Sequence, residues 1–331
     1  MKNFSLLLRL ACVAALVFVS ACSPSTQTQI NSGGTITNGG DFTYLFAGSA
    51  SHIFRSSDKG ASWVQTTING QYSSGLAFAT HGPYVFATSL GHGILRSTDS
   101  GATWNTLNAG TRISGIISLV VVNDVLIAGT QSGVLRSTDD GATWAVSDSA
   151  NLAGKTSDIR GLVAIGNSIV MVPEFGTSVY CSTDIGMTWH PISVELASVI
   201  VKLALATNGT DLFLATTDSG AYRSTDGGST WSALRNGSPM QLSTIAASGD
   251  NVYVGTPSKG FYRSTDRGDT WQGPYNNSRA DTAVTSLLPR GNYLYSSGNG
   301  PGVYESADNG LTWVARNNGL TDTAIVSIGT K

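Results

Sequence analysis

Seven times in 331 residues the chain repeats one eight-residue phrase, Ser-Thr-Asp-Xaa-Gly-Xaa-Thr-Trp, in its cleanest form from Ser97 to Trp104. Its aspartates are Asp58, Asp99, Asp139, Asp184, Asp226, Asp266 and Asp308, with spacings of 40 to 45 residues. A glycine stands two residues after each aspartate, and each phrase closes on one of the chain's seven tryptophans. A period in this range, built around short apolar runs, marks a radial array of β-sheets. A lone repeat cannot bury its two faces; stacked repeats bury them against each other.

The phrase reads as a folding element. Before each one lies a short apolar run such as Ile94-Leu95 or Val134-Leu135, bounded by turn residues, as in a strand covered on both faces. Aspartate in a tight turn accepts hydrogen bonds from amides further along. Glycine supplies a backbone angle that other residues adopt only with strain, and the indole covers the hairpin or its neighbour. The box is expected to reverse the chain into an outer strand beginning at the Thr-Trp pair. The seven aspartates are therefore assigned a structural role, with no metal and no cofactor: a calcium loop needs oxygen ligands at alternate positions, where this phrase has hydroxyl and glycine.

Each full repeat divides into four strands. In the third these are Ile116–Val121, Val125–Gly129, Val134–Ser137 and Thr143–Val146, counted outward. The first repeat lacks an innermost strand. The tail Thr323-Ala324-Ile325-Val326-Ser327-Ile328 resembles the innermost strands at Ile116–Leu119 and Val284–Leu287. The C-terminal strand is expected to complete the first blade, giving an all-β, seven-bladed β-propeller of four-stranded blades with no open edge. Glycine is abundant, at 39 residues, and charge is sparse, at 12%. The formal net charge is −2, with no basic stripe, so nucleic acid is not an expected partner; the propeller is expected to be a monomer.

Residues 1–21 read as a signal peptide, with Lys2 and Arg9 making its positive region and an apolar core from Leu10 to Val19. It ends in Val19-Ser20-Ala21-Cys22, which resembles the lipobox of bacterial lipoproteins. That resemblance implies lipidation of Cys22 and attachment to the bacterial cell envelope, with Ser23 favouring the outer membrane. Residues 22–37 then form a flexible tether rich in Ser, Thr, Gln and Asn, and residues 38–331 the propeller. Cysteine usage agrees: Cys12 leaves with the leader, Cys22 carries lipid, and Cys181 remains with no partner for a disulfide. Cys181 is read as a buried, inert thiol.

The repeats resemble the Asp-box (BNR) repeats of bacterial sialidases, sortilin-type receptors, xyloglucan-active glycosidases and photosystem II assembly factors. The resemblance covers nearly the whole mature chain. It implies a propeller whose boxes lie away from the ligand face, and it spans several chemistries. Sialidases carry an early Phe/Tyr-Arg-Ile-Pro motif; here Phe54-Arg55 runs on into Ser56-Ser57 and a box. The assembly factors carry Gly-Trp-Ala-Val-Gly-like second strands, where this chain has Val125-Leu126-Ile127-Ala128-Gly129.

A ligand face opposite the boxes would be built from the loops joining second to third strands and from the loops between blades. Its acidic residues are Asp158, Glu174, Glu195, Asp218, Asp281 and Asp322. Glycoside hydrolysis needs two carboxylates facing each other about 5–10 Å apart. The fourth blade is the most irregular: it places Arg160 where others have Ile116, Val284 or Ile325, and Glu174 in a loop where others have Gln131 or Thr217. Arg160 beside the channel calls for a carboxylate, with Asp158 or Glu174 able to serve. Asp158, Arg160 and Glu174 are the catalytic candidates if the protein is a glycosidase; the bland reading is an ion pair plugging the channel. Tyr72, Arg112, Arg160, Phe175, Tyr275 and Arg279 are the candidates for binding a protein or glycan ligand. His52 and His92 sit in equivalent loops, but two histidines with no third ligand do not make a metal site. The sequence thus favours a binding or assembly scaffold over an enzyme.

Overall fold

In the computed structural model, residues 42–68, 70, 74–89, 91–107, 115–147, 152, 159–174, 178–193, 202–275, 283–298 and 302–331 are described. They form seven antiparallel sheets arranged as a β-propeller. In the third blade the strands are Ile116–Val122, Val125–Thr130, Gly133–Ser137 and Ala145–Val146, paired in that order. Each blade is sandwiched between two others, so its second strand has no polar face. All six residues of Val125–Thr130 and of Ser168–Pro173 are buried.

The core is divided accordingly. Seven apolar clusters each join one blade to the next, and the last joins the seventh to the first through Leu288, Tyr295, Leu45 and Ile328. The C-terminal strand Ile325–Thr330 is the innermost strand of the first blade, pairing with Leu45–Ser49 in the register Leu45↔Thr330 and Ala47↔Ile328. The ring therefore closes non-covalently, one strand from the end of the chain and three from its start.

Hydroxyls stitch neighbouring inner strands together. Ser118 Oγ donates to Ile159 O at 2.8 Å, Ser327 Oγ to Gly75 O at 2.8 Å, and Thr285 Oγ1 to Ile325 O at 3.1 Å. Ser243 Oγ donates likewise to Val284 O. The approach is close enough that a Cβ on Gly48 would lie 1.9 Å from the Gly75 carbonyl oxygen. Glycine at position 48 is thus a requirement of the close approach of the first two blades.

Two expectations need correction. The outer strand begins at the Thr-Trp pair only in the second blade, at Thr103; elsewhere it starts after the tryptophan, as at Val64, Ala145 and Ser232. The second blade also gains a fifth strand, because Thr67–Ile68 leaves the first blade and pairs parallel with Thr103–Trp104. This strap ties two blades together at their outer edges.

A histidine ties another pair of blades. His81, the last residue of the second blade's inner strand Phe78–His81, has Nδ1 2.8 Å from Asp140 Oδ1 and Nε2 2.8 Å from Asp124 Oδ1, both in the third blade. Burial alone would lower its pKa, but the hydrogen bonds and charges of Asp124 and Asp140 outweigh it and raise the pKa above 6.5. A raised folded-state pKa stabilises the fold fully below the unfolded value near 6.5, and that contribution is lost as pH climbs through the folded pKa. His81→Gln should therefore lower the melting temperature at pH 5.5 and leave it nearly unchanged at pH 8.5. Equal losses at both pH values would refute a charged latch.

Candidate functional site

The two ends of the third strand of each blade define the two faces of the ring. The turn from third to outer strand holds the repeated phrase. In its second copy, Ser97 Oγ donates to Asp99 Oδ1 at 2.7 Å and accepts from the Gly101 amide at 2.7 Å. Asp99 Oδ1 also accepts from the Thr103 amide at 2.9 Å, and Oδ2 from the Thr103 hydroxyl at 2.6 Å. The residue before each glycine is itself left-handed: Ser100 has φ 59° and even the β-branched Ile185 has φ 56°. The glycine is also crowded, since a Cβ on Gly101 would lie 2.3 Å from the Phe46 ring of the preceding blade.

These bonds occupy the carboxylates. Burial works against ionisation of Asp99, yet the Thr103 and Ser97 bonds prevail and hold its pKa below the usual range. At Asp266 the Ser264 and Thr270 hydroxyls hold it down at about 2. Low pKa values and oxygens engaged by the hydroxyls and amides of their own turn suit a folding element, and do not suit a proton donor. Among the described residues no three His, Cys, Asp or Glu side chains are grouped to hold a metal ion.

The indoles divide by what the preceding blade offers. Trp104 Nε1 donates to Thr66 Oγ1 at 3.0 Å and Trp189 Nε1 to Ser147 Oγ at 2.8 Å. Where the equivalent residue is Leu107, Trp144 turns to its own Gly141 carbonyl at 3.0 Å. Trp63 reaches Arg316 O at 2.7 Å across the closure. Trp271, packed in one cluster with Leu234, has a buried Nε1 without a partner among the described residues.

The opposite face is built from second-to-third-strand loops and from the connections between blades. Arg160 lies there, at the start of the inner strand Ile159–Ile165, and its Nη2 donates to Glu174 Oε2 at 3.0 Å. Its place differs from the expected one. The pairing Ile159↔Pro173, Gly161↔Val172 leaves Arg160 in a β-bulge, as Ile117 and Val326 are left in the third and first blades. The residue in register with Ile116 and Ile325 is Ile159, and all three are fully buried. Arg160 thus takes a bulge position that is partly open, with its side chain 40% exposed. The fourth blade lacks the usual loop lock too: Thr130 and Thr216 hydroxyls donate to Gly133 O and Gly220 O, whereas Pro173 stands in their place. The Arg160–Glu174 pair lies at this end of the blade instead.

At the first blade, Asp322 Oδ2 accepts from Ser51 Oγ at 2.8 Å and lies 3.4 Å from His52 Nδ1. Ser51 Oγ is 3.0 Å from that same nitrogen. Serine, histidine and aspartate therefore meet, but on one ring nitrogen. A nucleophilic triad needs the hydroxyl and the carboxylate on opposite nitrogens. Burial would raise the Asp322 pKa, but hydroxyl, amide and imidazole bonds bring it down to about 2.

Of the other candidates, Tyr275 ends an outer strand and packs on the cluster between the sixth and seventh blades. Its ring lies 5.5 Å from Phe261 and its hydroxyl donates to Gln272 at 3.2 Å. Cys181 is buried in the fourth blade. Cys22, Tyr72, Arg112, Asp158, Phe175, Glu195, Arg279 and Asp281 lie outside the described residues.

One feature of this face was not foreseen. A cleft of about 480 Å³ opens between the fifth and sixth blades, lined by Asp218, Pro239, Met240, Gln241, Lys259 and Tyr262 among others. Its walls come from two successive loops and the connection between them. Asp218 stood among the acidic residues of this face; Lys259 and Met240 carried no signal in the sequence, because only the ring brings their loops together.

Residues 152–296, from the approach to the fourth blade to the second strand of the seventh, match the family model described as the DUF6242 beta propeller domain. No curated protein matches the chain in sequence. Among solved structures the chain is similar to YCF48 from Cyanidioschyzon merolae, at 16% identity and TM-score 0.55, covering 70% of this chain and 80% of that one. It is similar to YCF48 bound to D1 peptide, at 14% identity and TM-score 0.61, over 84% and 95% of the two chains. A GH74 xyloglucanase from Xanthomonas campestris aligns at 17% identity and TM-score 0.59, over 87% of this chain and 55% of that one. At these identities the likeness is one of fold, which a peptide-bound propeller and a glycosidase share.

Proposed function

We propose that the protein is a lipid-anchored binding or assembly scaffold of the bacterial cell envelope, presenting the face opposite the aspartate turns to a protein or glycan. What carries this reading, among the described residues, is how two carboxylates of that face are used. Glu174 is held by Arg160, and Asp322 by Ser51, His52 and an amide. A glycosidase needs one carboxyl that keeps its proton near neutral pH, and Asp322, at about 2, does not.

Chain entry agrees with an anchored orientation. Leu45 pairs with Ser56, which leads into the first aspartate turn, so the chain enters the ring on the turn face. A tether from Cys22 would thus join the side facing the membrane and leave the opposite face free. The likeness in fold to YCF48 bound to D1 peptide supports this reading.

The alternative, a glycoside hydrolase on that same face, is separated by a panel of neutral and acidic glycans assayed for binding and turnover, with Arg160→Ala and Glu174→Gln alongside. The expected result is no turnover by any of the three proteins, and a melting temperature lowered in both variants because each leaves one charge unpaired. Turnover that both substitutions abolish, with the fold intact, would make the fourth blade an active site and end the scaffold reading.

A further inference from the structure

The cleft between the fifth and sixth blades has the chemistry of a specific site. Asp218 projects from the loop of one blade and Lys259 from the loop of the next, both exposed. Neither makes an ion pair or a side-chain hydrogen bond among the described residues. Elsewhere the described charged groups are often matched across blade boundaries, as Arg223 with Asp269 at 3.0 Å, or within a blade, as Arg316 with Glu305 at 2.9 Å. Pro239 and Met240 line the same cleft, with Met240 50% exposed. A methionine left open to water offers an adaptable apolar contact, and Gln241 adds an amide able to donate and accept.

Resting on the scaffold reading, we infer that this cleft binds an extended peptide segment carrying one basic and one acidic side chain, the basic one against Asp218 and the acidic one against Lys259. Opposite charges on opposite walls select a ligand that is itself dipolar and read its direction. A neutral oligosaccharide supplies no partner for either charge, and desolvating two unmatched ions would count against it. The volume accommodates a few side chains, with the remainder of the segment crossing the open face.

The test is an array of decapeptides with one lysine and one glutamate at every pair of positions on an uncharged background. Charge-free peptides and neutral oligosaccharides share the surface, and the protein is applied as the full chain. Peptides with one order and spacing of the charges should be retained, and Asp218→Asn and Lys259→Met should each weaken retention about tenfold. The double reversal, Asp218→Lys with Lys259→Asp, should prefer the opposite order of charges. Both residues are exposed, so melting temperatures should stay at the wild-type value. Retention untouched by these substitutions, retention of neutral oligosaccharides that they abolish, or no peptide retained at all would overturn the assignment. Cross-linking in the envelope from Gln131, outside the cleft, reports on the scaffold reading separately.

Discussion

Removal of residues 325–331 is expected to abolish the folded monomer. The lost strand supplies Ile325 and Ile328 to the cluster that joins the seventh blade to the first, and the inner pairing partner of Leu45–Ser49. Truncating one buried isoleucine costs about 2–5 kcal/mol, so losing both, with a ladder and the Ser327–Gly75 bond, approaches the ~5–15 kcal/mol that holds a domain together. The exposed edge of Leu45–Ser49 would also be free to pair with other chains. Size-exclusion chromatography should show aggregate, and thermal unfolding no cooperative transition.

A permuted chain makes the same point in reverse. The Thr43 amide donates to Lys331 O at 2.7 Å, and the Lys331 amide to Tyr44 O at 2.9 Å. Moving residues 325–331 ahead of Thr43 therefore needs only a short turn, and should restore a monomer with a cooperative melt. A deletion variant that melts like the wild type would mean that the ring does not depend on its closing strand.

Trp104→Ala should be the most damaging single substitution among the repeated turns, at about 3–5 kcal/mol. The indole is 1% exposed, packs edge-on against Phe46 at 6.2 Å, and donates to the buried Thr66 hydroxyl. Its removal empties the cluster between the first two blades and leaves the Thr66 hydroxyl with only its bond to Ile53 O. Trp231→Ala, at the same place in the phrase, should cost clearly less. Trp231 is only half-buried, and its N–H serves its own turn at Gly228. Chemical denaturation of the two variants checks the order, and equal costs would contradict the packing described here.

The contrast also shows where the sequence ceased to be informative. Asp, Gly and Trp recur every 40 to 45 residues, so the turn and the blade count could be read from spacing, and the closing strand from its likeness to the other inner strands. What each indole bonds to depends on the residue that the preceding blade places beside it, Thr66 or Leu107, some 38 residues away. Arg160 is equivalent to the bulge residues Ile117 and Val326; each stands beside a buried isoleucine, so the apolar pattern did not tell the two positions apart. The cleft is a product of tertiary structure: Asp218 and Lys259 belong to different repeats and carry no shared motif.

The central claim is that the protein works through the face opposite its aspartate turns. Photo-cross-linking in the native envelope tests it most directly, with the reactive group at Met240 or Gln131 on that face, and at Lys59 or Met187 in the turns. The account predicts a discrete adduct from the opposite face and none from the turn face. Adducts from the turn face alone, or from neither, would contradict it.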